Sequence, residues 1–259
     1  MEIVIAPAKE DLAAVAADSL ARQIRVNPQF VLGLATGSTP LPLYRALKRH
    51  ADAGVDFSQV RGFALDEYVG IPEEHPESYA SVIRTQVVEP LGMNPDLLHV
   101  PPARASDLAA AAEDYERRIR EAGGVDVQIL GIGANGHIGF NEPTSSFASR
   151  TRIKTLAPQT RADNARFFDS IDEVPTHCMT QGLGTILDAK KVFLFAFGEN
   201  KADAVAGAVE GPVTAMCPGS VLQFHQHAVF FVDEAAASKL ANTEYYRYVF
   251  EHKPTWQVL

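Results

Sequence analysis

Cysteine is scarce in this chain, which has only Cys178 and Cys217 among its 259 residues. The two cysteines form no CxxC pair and no zinc-binding spacing, so neither a disulfide-stabilised secreted scaffold nor a zinc module is indicated. The N-terminal sequence MEIVIAPAKEDLAAV also lacks the features of a secretory signal peptide. We therefore expect two reduced thiols in a cytoplasmic protein.

Long apolar runs and runs of positive charge are missing as well. The longest apolar stretches, such as VFLFAF at 192–197, have the length of a strand and fall short of the roughly 20 residues that cross a bilayer. The net charge is −9, with no compensating cluster of lysine or arginine. These absences predict a protein with no membrane and no nucleic acid among its partners.

Two nucleotide-binding signatures are absent or incomplete. No Gly-Lys-Ser/Thr sequence is present, which excludes a Walker A loop. A GxGxxG sequence does occur at 131–136, but the dinucleotide fingerprint requires a helix next and an acid about 20 residues later. Here Gly139 and Pro143 interrupt any helix, and no acid occurs between Pro143 and Asp163. The pattern therefore argues against NAD, and the missing GxSxG argues against an α/β-hydrolase.

What the chain does contain is a regular alternation of apolar runs and amphipathic segments. This order predicts one domain over 1–259, of the α/β class, with a doubly wound, mostly parallel sheet and helices on both faces. The stretch 141–175 is its least regular part. The strands are expected at 30–35, 61–68, 125–133, 191–198 and 227–233, and the helices at 9–25, 41–50, 75–88, 105–122, 180–189 and 199–211.

Ligands of such sheets bind beyond the carboxyl ends of the strands, so the residues that follow each strand carry most weight. After the first strand, Thr36, Gly37, Ser38 and Thr39 gather hydroxyls and free backbone amides at a helix start, which suits a phosphate. An ordinary N-cap explains the same residues equally well.

The second and third strands are followed by ionisable side chains. Asp66 and Glu67 are adjacent, so only one of them can face a site, where burial would make it a base; a solvated acidic turn is the alternative. His137 and Glu142 share a glycine-rich loop with two asparagines, which favours catalysis. His225 and His227 have no third ligand near them in sequence, so we expect no metal.

Several long segments together resemble the glucosamine-6-phosphate deaminase (isomerising) family. The resemblance implies a Rossmann-like fold and the conversion of glucosamine 6-phosphate and water to fructose 6-phosphate and ammonia, without a cofactor, in amino-sugar catabolism. The segments that carry it are LGLATGSTP (32–40), LDEYVGIPEEHPESY (65–79), GIGANGHIGFNEP (131–143), SRTRIKTL (149–156) and NARFF (164–168).

The resemblance also implies roles for individual residues. Asp66 is implied as the base that moves a proton between C2 and C1 of the open-chain sugar, and His137, assisted by Glu142, as the group that opens the pyranose ring. Asn135 stands where some members carry Asp, so it can only hydrogen-bond where Asp would give His137 a charged partner. The residues implied to hold the substrate phosphate are Thr36, Gly37, Ser38, Thr39, Arg166 and Lys201.

Two further expectations follow from the resemblance and the irregular stretch. Ser145, Ser146, Arg152 and Lys154 match an effector site for N-acetylglucosamine 6-phosphate at a subunit interface, which implies a homo-oligomer; an ordinary exposed strand face is the alternative. Residues 156–175 are expected to form a mobile lid. A 6-phosphogluconolactonase and a non-catalytic sugar-phosphate sensor remain the competing functions.

Overall fold

The computed structural model describes residues 1–254, 257 and 259, and within these it has ten strands and nine α-helices. The strands are β1 (Glu2–Ala6), β2 (Val31–Leu34), β3 (Arg61–Ala64), β4 (Asp66–Tyr68), β5 (Leu98–His99), β6 (Val127–Gly131), β7 (Arg152–Thr155), β8 (His177–Thr180), β9 (Lys191–Ala196) and β10 (Ala228–Asp233). The helices are α1 (Lys9–Val26), α2 (Leu41–Asp52), α3 (Tyr79–Ile83), α4 (Glu89–Leu91), α5 (Leu108–Glu121), α6 (Pro158–Asn164), α7 (Leu183–Leu187), α8 (Ala202–Val209) and α9 (Thr243–Glu251).

Seven parallel strands form the main sheet in the order β1-β10-β9-β6-β2-β3-β5. This confirms the expected doubly wound α/β fold. The chain moves outward in one direction from β2 and in the other from β6, so the strand order reverses between these two neighbours. A crevice opens at such a switch point, and it is where open α/β sheets bind their ligands.

The core explains why the sequence forms these layers. The inner strands β9 and β10 are almost continuously apolar and buried, as strands covered on both faces must be. Helix α1 buries Leu12, Ala16 and Leu20, which are spaced four residues apart and so lie on one stripe of the helix. None of the helices in the described residues is long and apolar enough to cross a membrane.

A second sheet, with three antiparallel strands in the order β4-β8-β7, was not expected from the sequence. The prediction of one strand over 61–68 is wrong, because the chain changes sheets at Leu65. The Leu65 amide still donates to Leu34 of the main sheet at 2.9 Å, while its carbonyl accepts from the Gln181 amide at 2.8 Å. Asp66 is therefore the first residue of the small sheet.

Strands β1 and β5 and helices α4 and α9 were not predicted from the sequence, whereas the predicted helices differ from expectation mainly at their ends. The helix predicted over 75–88 begins only at Tyr79, where Ser78 caps it by accepting a hydrogen bond from the Ser81 amide at 3.1 Å. It then continues as a π-helix over Arg84–Val88. The irregular stretch 141–175 contains β7 and α6, which the sequence analysis did not separate from the loops around them.

Candidate active site

Asp66 lies where the two sheets meet and is only 7% exposed. Burial, together with the neighbouring charge of Glu67, raises the pKa of Asp66 to about 8. Glu67 is directed elsewhere: its carboxylate accepts the backbone amides of Tyr68, Tyr79 and Ala80 at 2.8–3.0 Å. Of the two adjacent acids, only Asp66 is thus left free of backbone donors.

The glycine-rich loop after β6 gives His137 its place. A Cβ atom added to Gly133 would lie 2.2–2.5 Å from three atoms of the His137 ring, so the imidazole occupies the space that this glycine leaves open. The Gly133 amide also donates to the His137 carbonyl at 2.8 Å. The GxGxxG pattern here makes room for a side chain rather than for a pyrophosphate.

Glu142 lies at the centre of a cluster of polar groups. Its Oε2 atom is 3.5 Å from His137 Nδ1 and accepts a hydrogen bond from Asn135 Nδ2 at 2.8 Å. Its Oε1 atom accepts a hydrogen bond from the hydroxyl of Thr160. Although burial opposes the charge, the contacts with His137, Thr160 and Asn135 lower the pKa of Glu142 to about 2. Glu142 is therefore held as a carboxylate beside the imidazole.

The loop lies directly against Asp66. A Cβ atom on Gly139 would sit 3.7 Å from Asp66 Oδ2 and 3.1 Å from the hydroxyl of Thr180, the residue that pairs with Asp66 in the small sheet. The structure therefore brings together the four residues singled out for catalysis: Asp66 on one side, and Asn135, His137 and Glu142 on the other.

Four of the residues expected to hold a phosphate lie at the switch point of the main sheet, between β2 and β6. Thr36, Gly37, Ser38 and Thr39 follow β2, next to the end of β6, where a Cβ atom on Gly131 would contact Thr39 at 3.8 Å. Gly37 has φ +83°, so the turn before α2 requires its conformational freedom.

The other two residues expected to hold the phosphate, Lys201 and Arg166, lie close enough for their charges to interact. Burial lowers the pKa of Lys201, an effect that nearby Asp163 opposes and that the charge of Arg166 strengthens. Within the described chain, neither cation has a carboxylate within 4.0 Å. The two positive charges are thus neighbours with no acid bound to either.

Residues 6–232 match the family model described as glucosamine-6-phosphate isomerases/6-phosphogluconolactonase. The chain belongs to this family. It is 57% identical over 259 residues to the glucosamine-6-phosphate deaminase of Streptomyces coelicolor and 55% identical over 257 residues to that of Pseudarthrobacter chlorophenolicus. Each comparison covers 99% of this chain and 99% of the relative.

Solved structures agree with this assignment. A structure described as that of a monomeric glucosamine-6-phosphate deaminase is 40% identical with a TM-score of 0.90, covering 92% of this chain and all of the other. The 6-phosphogluconolactonase from Trypanosoma cruzi covers 93% of this chain and 97% of its own, at 21% identity and a TM-score of 0.75. That second likeness shows a shared fold only.

The residues matched to an effector site of this deaminase/lactonase family are only partly gathered. Arg152 and Lys154 alternate along β7 and so share a face, and Arg152 Nη1 donates to Asn141 Oδ1 at 2.7 Å. The hydroxyl of Ser145 is buried and has no hydrogen-bond partner among the described residues. Ser146 is exposed, and its hydroxyl accepts from the Ala148 amide at 3.3 Å.

Three contact residues of the site were missed in the sequence analysis. The Thr160 hydroxyl bonds to Glu142, which lies 18 residues earlier in the chain, and no local sequence pattern predicts that contact. Asn141 and Thr180 fasten the glycine-rich loop to the end of β8, and only the position of Asn141 next to Glu142 offered a signal in the sequence. His225, considered for a metal, has its Nε2 atom 2.7 Å from the Ala189 carbonyl, and the described residues include no metal-binding group of His, Cys, Asp or Glu.

Proposed function

We propose that this protein is a glucosamine-6-phosphate deaminase that converts glucosamine 6-phosphate and water to fructose 6-phosphate and ammonia. The observation that carries the proposal is the position of a buried carboxyl group, Asp66, directly against the loop that holds the His137–Glu142 pair. The full-length relatives that share more than half of its residues bear the same name.

Ring opening is the first step that the geometry supports. A proton must leave O1 and reach O5, and an imidazole can take and return a proton near neutral pH. Glu142 is held as a carboxylate with hydrogen bonds from Asn135 and Thr160, and it lies 3.5 Å from His137 Nδ1, where it orients the imidazole ring. The backbone amides of Thr36–Thr39, with Arg166 and Lys201, hold the phosphate and so fix the sugar relative to these groups.

Isomerisation and deamination follow at C1 and C2. The open aldehyde at C1 acidifies the C2 hydrogen, which Asp66 removes as a proton and returns at C1. Protonation of O1 in the same interval leaves an iminium at C2, to which water adds and from which ammonia departs. A carboxyl group whose pKa is near 8 holds the proton between these two transfers. Every step moves only protons, water or ammonia, so we propose no cofactor.

The direct test is release of ammonia and fructose 6-phosphate from glucosamine 6-phosphate by the purified protein, with no added metal or nucleotide. Hydrolysis of 6-phosphogluconolactone to 6-phosphogluconate would identify the lactonase alternative instead. Tight binding of the amino sugar without either reaction would identify a sensor.

Asp66→Asn tests the proposed base. We expect loss of both ammonia release and deuterium incorporation at C1 of fructose 6-phosphate, with binding of fructose 6-phosphate retained, because the amide keeps the shape but accepts no proton. Exchange at C1 at the wild-type rate in Asp66→Asn would refute the assignment.

Arg166→Ala and Lys201→Ala test the proposed phosphate contacts. These substitutions should impair substrate binding, with a rise of roughly 10–100-fold in KM, as expected for the loss of a charge-assisted hydrogen bond.

We propose an effector role for Ser145, Ser146, Arg152 and Lys154, and with it a homo-oligomer. The two cations on one face of β7 support an anion site there. The buried Ser145 hydroxyl, which has no hydrogen-bond partner among the described residues, is left to bind a ligand. N-acetylglucosamine 6-phosphate should convert sigmoidal kinetics to hyperbolic ones, and Lys154→Ala should abolish that response. Lys48→Ala, which breaks an exposed ion pair with Asp52 at the C-terminal end of α2, should not. A monomer in sedimentation, or kinetics that the acetylated sugar leaves unchanged, would remove this role.

We also propose that residues 156–175 close over the bound sugar. Helix α6 already reaches the site through Thr160, and Arg166 follows it.

We propose a cytoplasmic location, which the two free cysteines support.

A further inference from the structure

Asn141 uses its whole side chain for hydrogen bonds although it lies in the core. It is 0% exposed, and its Nδ2 atom donates to the carbonyls of Ile138 at 2.9 Å and Gln181 at 2.8 Å. Its Oδ1 atom accepts from Arg152 Nη1 at 2.7 Å. Both amide hydrogens and the carbonyl oxygen are therefore occupied.

These bonds close the turn that separates His137 from Glu142. Ile138 and Asn141 face each other as an isolated antiparallel bridge, and the Asn141 amide donates to the Ile138 carbonyl at 3.2 Å. Gly139 supplies the positive φ, +54°, that the turn requires. His137 precedes this turn and Glu142 follows it, so the conformation of the turn sets the distance between the two.

The same bonds fasten the turn to the strand that carries Asp66. Thr180 lies in β8 between Asp66 of β4 and Arg152 of β7, so the three form a row across the small sheet. The Thr180 hydroxyl accepts from the Phe140 amide at 3.1 Å, and the next residue, Gln181, accepts from Asn141. Thr180 and Gln181, at the end of β8, therefore connect the turn to the strand that carries Asp66.

We infer that Asn141 is a positioning residue that fixes the position of the His137–Glu142 pair relative to Asp66. Arg152 supports Asn141 through the hydrogen bond to its Oδ1 atom. The inference rests on the proposed function, because ring opening and proton transfer must act on one sugar without repositioning it. Displacement of a catalytic group by about 1 Å costs on the order of 100-fold in rate. Within the described residues Arg152 has no carboxylate within 4.0 Å, which leaves its guanidinium free for Asn141.

Two substitutions separate positioning from simple packing. Asn141→Ala removes all three bonds. Asn141→Asp keeps the shape and the contact with Arg152, but turns a carboxylate oxygen toward two carbonyl oxygens, which repel it. A protonated carboxyl group can donate to one of those carbonyls, so this variant should regain function as the pH falls. Packing alone predicts no such recovery.

The experiment measures deamination kinetics of both variants from about pH 6 to pH 9, each expressed relative to the wild type at the same pH. For Asn141→Ala we expect kcat to fall by roughly 10–100-fold at all pH values, with KM changed by less than about threefold. For Asn141→Asp we expect a comparable loss at the alkaline end that shrinks toward the acid end. Asn94→Ala, which removes an exposed cap on the Asp96 amide, is the matched control and should match the wild type.

Hydrogen exchange of the peptide spanning 138–142 gives a second readout that does not need turnover. Exchange should quicken there in Asn141→Ala and not in Asn94→Ala. Arg152→Ala should lower kcat by a smaller factor, and adding it to Asn141→Ala should bring no further loss, because both remove the same support. If Asn141→Ala does not fold, Asn141→Asp and Arg152→Ala still decide the question.

Three results would overturn the inference: a kcat of folded Asn141→Ala within twofold of the wild type, a pH-independent loss in Asn141→Asp, or unchanged exchange at 138–142. Absence of deamination by the wild type would instead refute the proposed function. In that case the exchange measurement alone would decide whether Asn141 holds the turn.

Discussion

Two carboxyl groups beside the glycine-rich loop have opposite environments, and this difference underlies the roles proposed for them. Burial, together with the charge of Glu67, raises the pKa of Asp66 to about 8, and its carboxyl group has no hydrogen-bond donor among the described residues. Although burial opposes its charge, the nearby His137 imidazole and the hydrogen bonds from Thr160 and Asn135 lower the pKa of Glu142 to about 2. A site that separates two carboxyl groups in this way has one that exchanges protons and one that stays charged. Asn135 contributes to the separation, because an aspartate at that position would place a second carboxylate beside Glu142 Oε2.

Gly133→Ala tests whether the glycine motif exists to seat His137. The added methyl group would lie within 2.5 Å of the imidazole ring, so the ring must move. We expect kcat/KM for deamination to fall by roughly 100-fold, since ring displacement of about 1 Å has that effect.

Gly131→Ala is the matched control for this substitution. Its methyl group would contact only Thr39, at an ordinary 3.8 Å, so its loss in kcat/KM should be much smaller. Equal losses in the two variants would contradict the proposed role of Gly133, as would a Gly133→Ala variant with normal turnover.

At the residue scale, side chains that directly follow a strand could be singled out from the sequence. Asp66 and His137 were singled out because the carboxyl ends of parallel strands converge, and the structure places Asp66 against the loop that carries His137. Thr160 could not be found, because its contact with Glu142 depends on how α6 folds back over the loop. Asn141 was visible in the motif, but its bonds to Gln181 and Arg152 are contacts of the folded chain.

At the scale of elements, the three-stranded sheet is the part of the fold that the sequence did not predict. The run RGFALDEY has the continuous pattern of one strand, and only the hydrogen bonds of Leu65 reveal the change of sheet. Strand β8 has four residues, and its pairing with β4 and β7 joins segments far apart in the chain. Five strands of the main sheet, β2, β3, β6, β9 and β10, lie in the apolar runs that predicted them, whereas the edge strands β1 and β5 were not predicted. Strand β5 has only two residues, too few to form a pattern.

Helix α6 is the element for which a test is most direct. It touches the site through the Thr160 hydroxyl on Glu142 and through Asn164 Nδ2, which donates to the Tyr68 hydroxyl at 2.9 Å. Thr160→Val keeps the shape and removes the bond to the carboxylate, which is worth about 1.5–3 kcal/mol. We expect faster hydrogen exchange over 158–164 and a lower kcat/KM.

Thr185→Val is the matched control, because the Thr185 hydroxyl also donates to a buried carboxylate, that of Glu116, away from the site. It should destabilise the protein without altering exchange of α6 relative to the rest of the chain. Bound fructose 6-phosphate should slow exchange over 156–175 in the wild type. Identical exchange with and without this ligand would contradict closure of the segment.

At the scale of the whole molecule, the topology of the sheet favours binding of a sugar phosphate, whereas the net charge opposes it. The reversal of strand order between β2 and β6 places the loop proposed to bind phosphate beside the loop proposed to carry the catalytic groups. The net charge of −9, however, repels a sugar phosphate at long range. The crevice therefore depends on short-range donors, and Lys201 and Arg166 supply the positive charge without ion-pair partners of their own among the described residues.

The raised pKa of Asp66 also makes a prediction for the stability of the entire fold. In the folded protein its pKa is about 8, against an ordinary value of 3.8, so between these pH values the folded state keeps a proton that the unfolded chain has released. The stability that this group contributes is complete below about pH 4, declines as the pH rises and is lost by about pH 8. Asp66→Asn removes this dependence, because its amide does not titrate.

The melting temperature of Asp66→Asn should therefore exceed that of the wild type by an amount that grows with pH. Each pH unit in that window corresponds to at most about 1.4 kcal/mol, and one kcal/mol shifts the melting temperature of a chain of this size by about 2–4 °C. Thermal unfolding of both proteins at about pH 5, 7 and 9 measures the difference. A gap that stays constant over this range would show that Asp66 ionises as readily in the fold as in water, and a base poised near neutral pH would then have no basis in its burial.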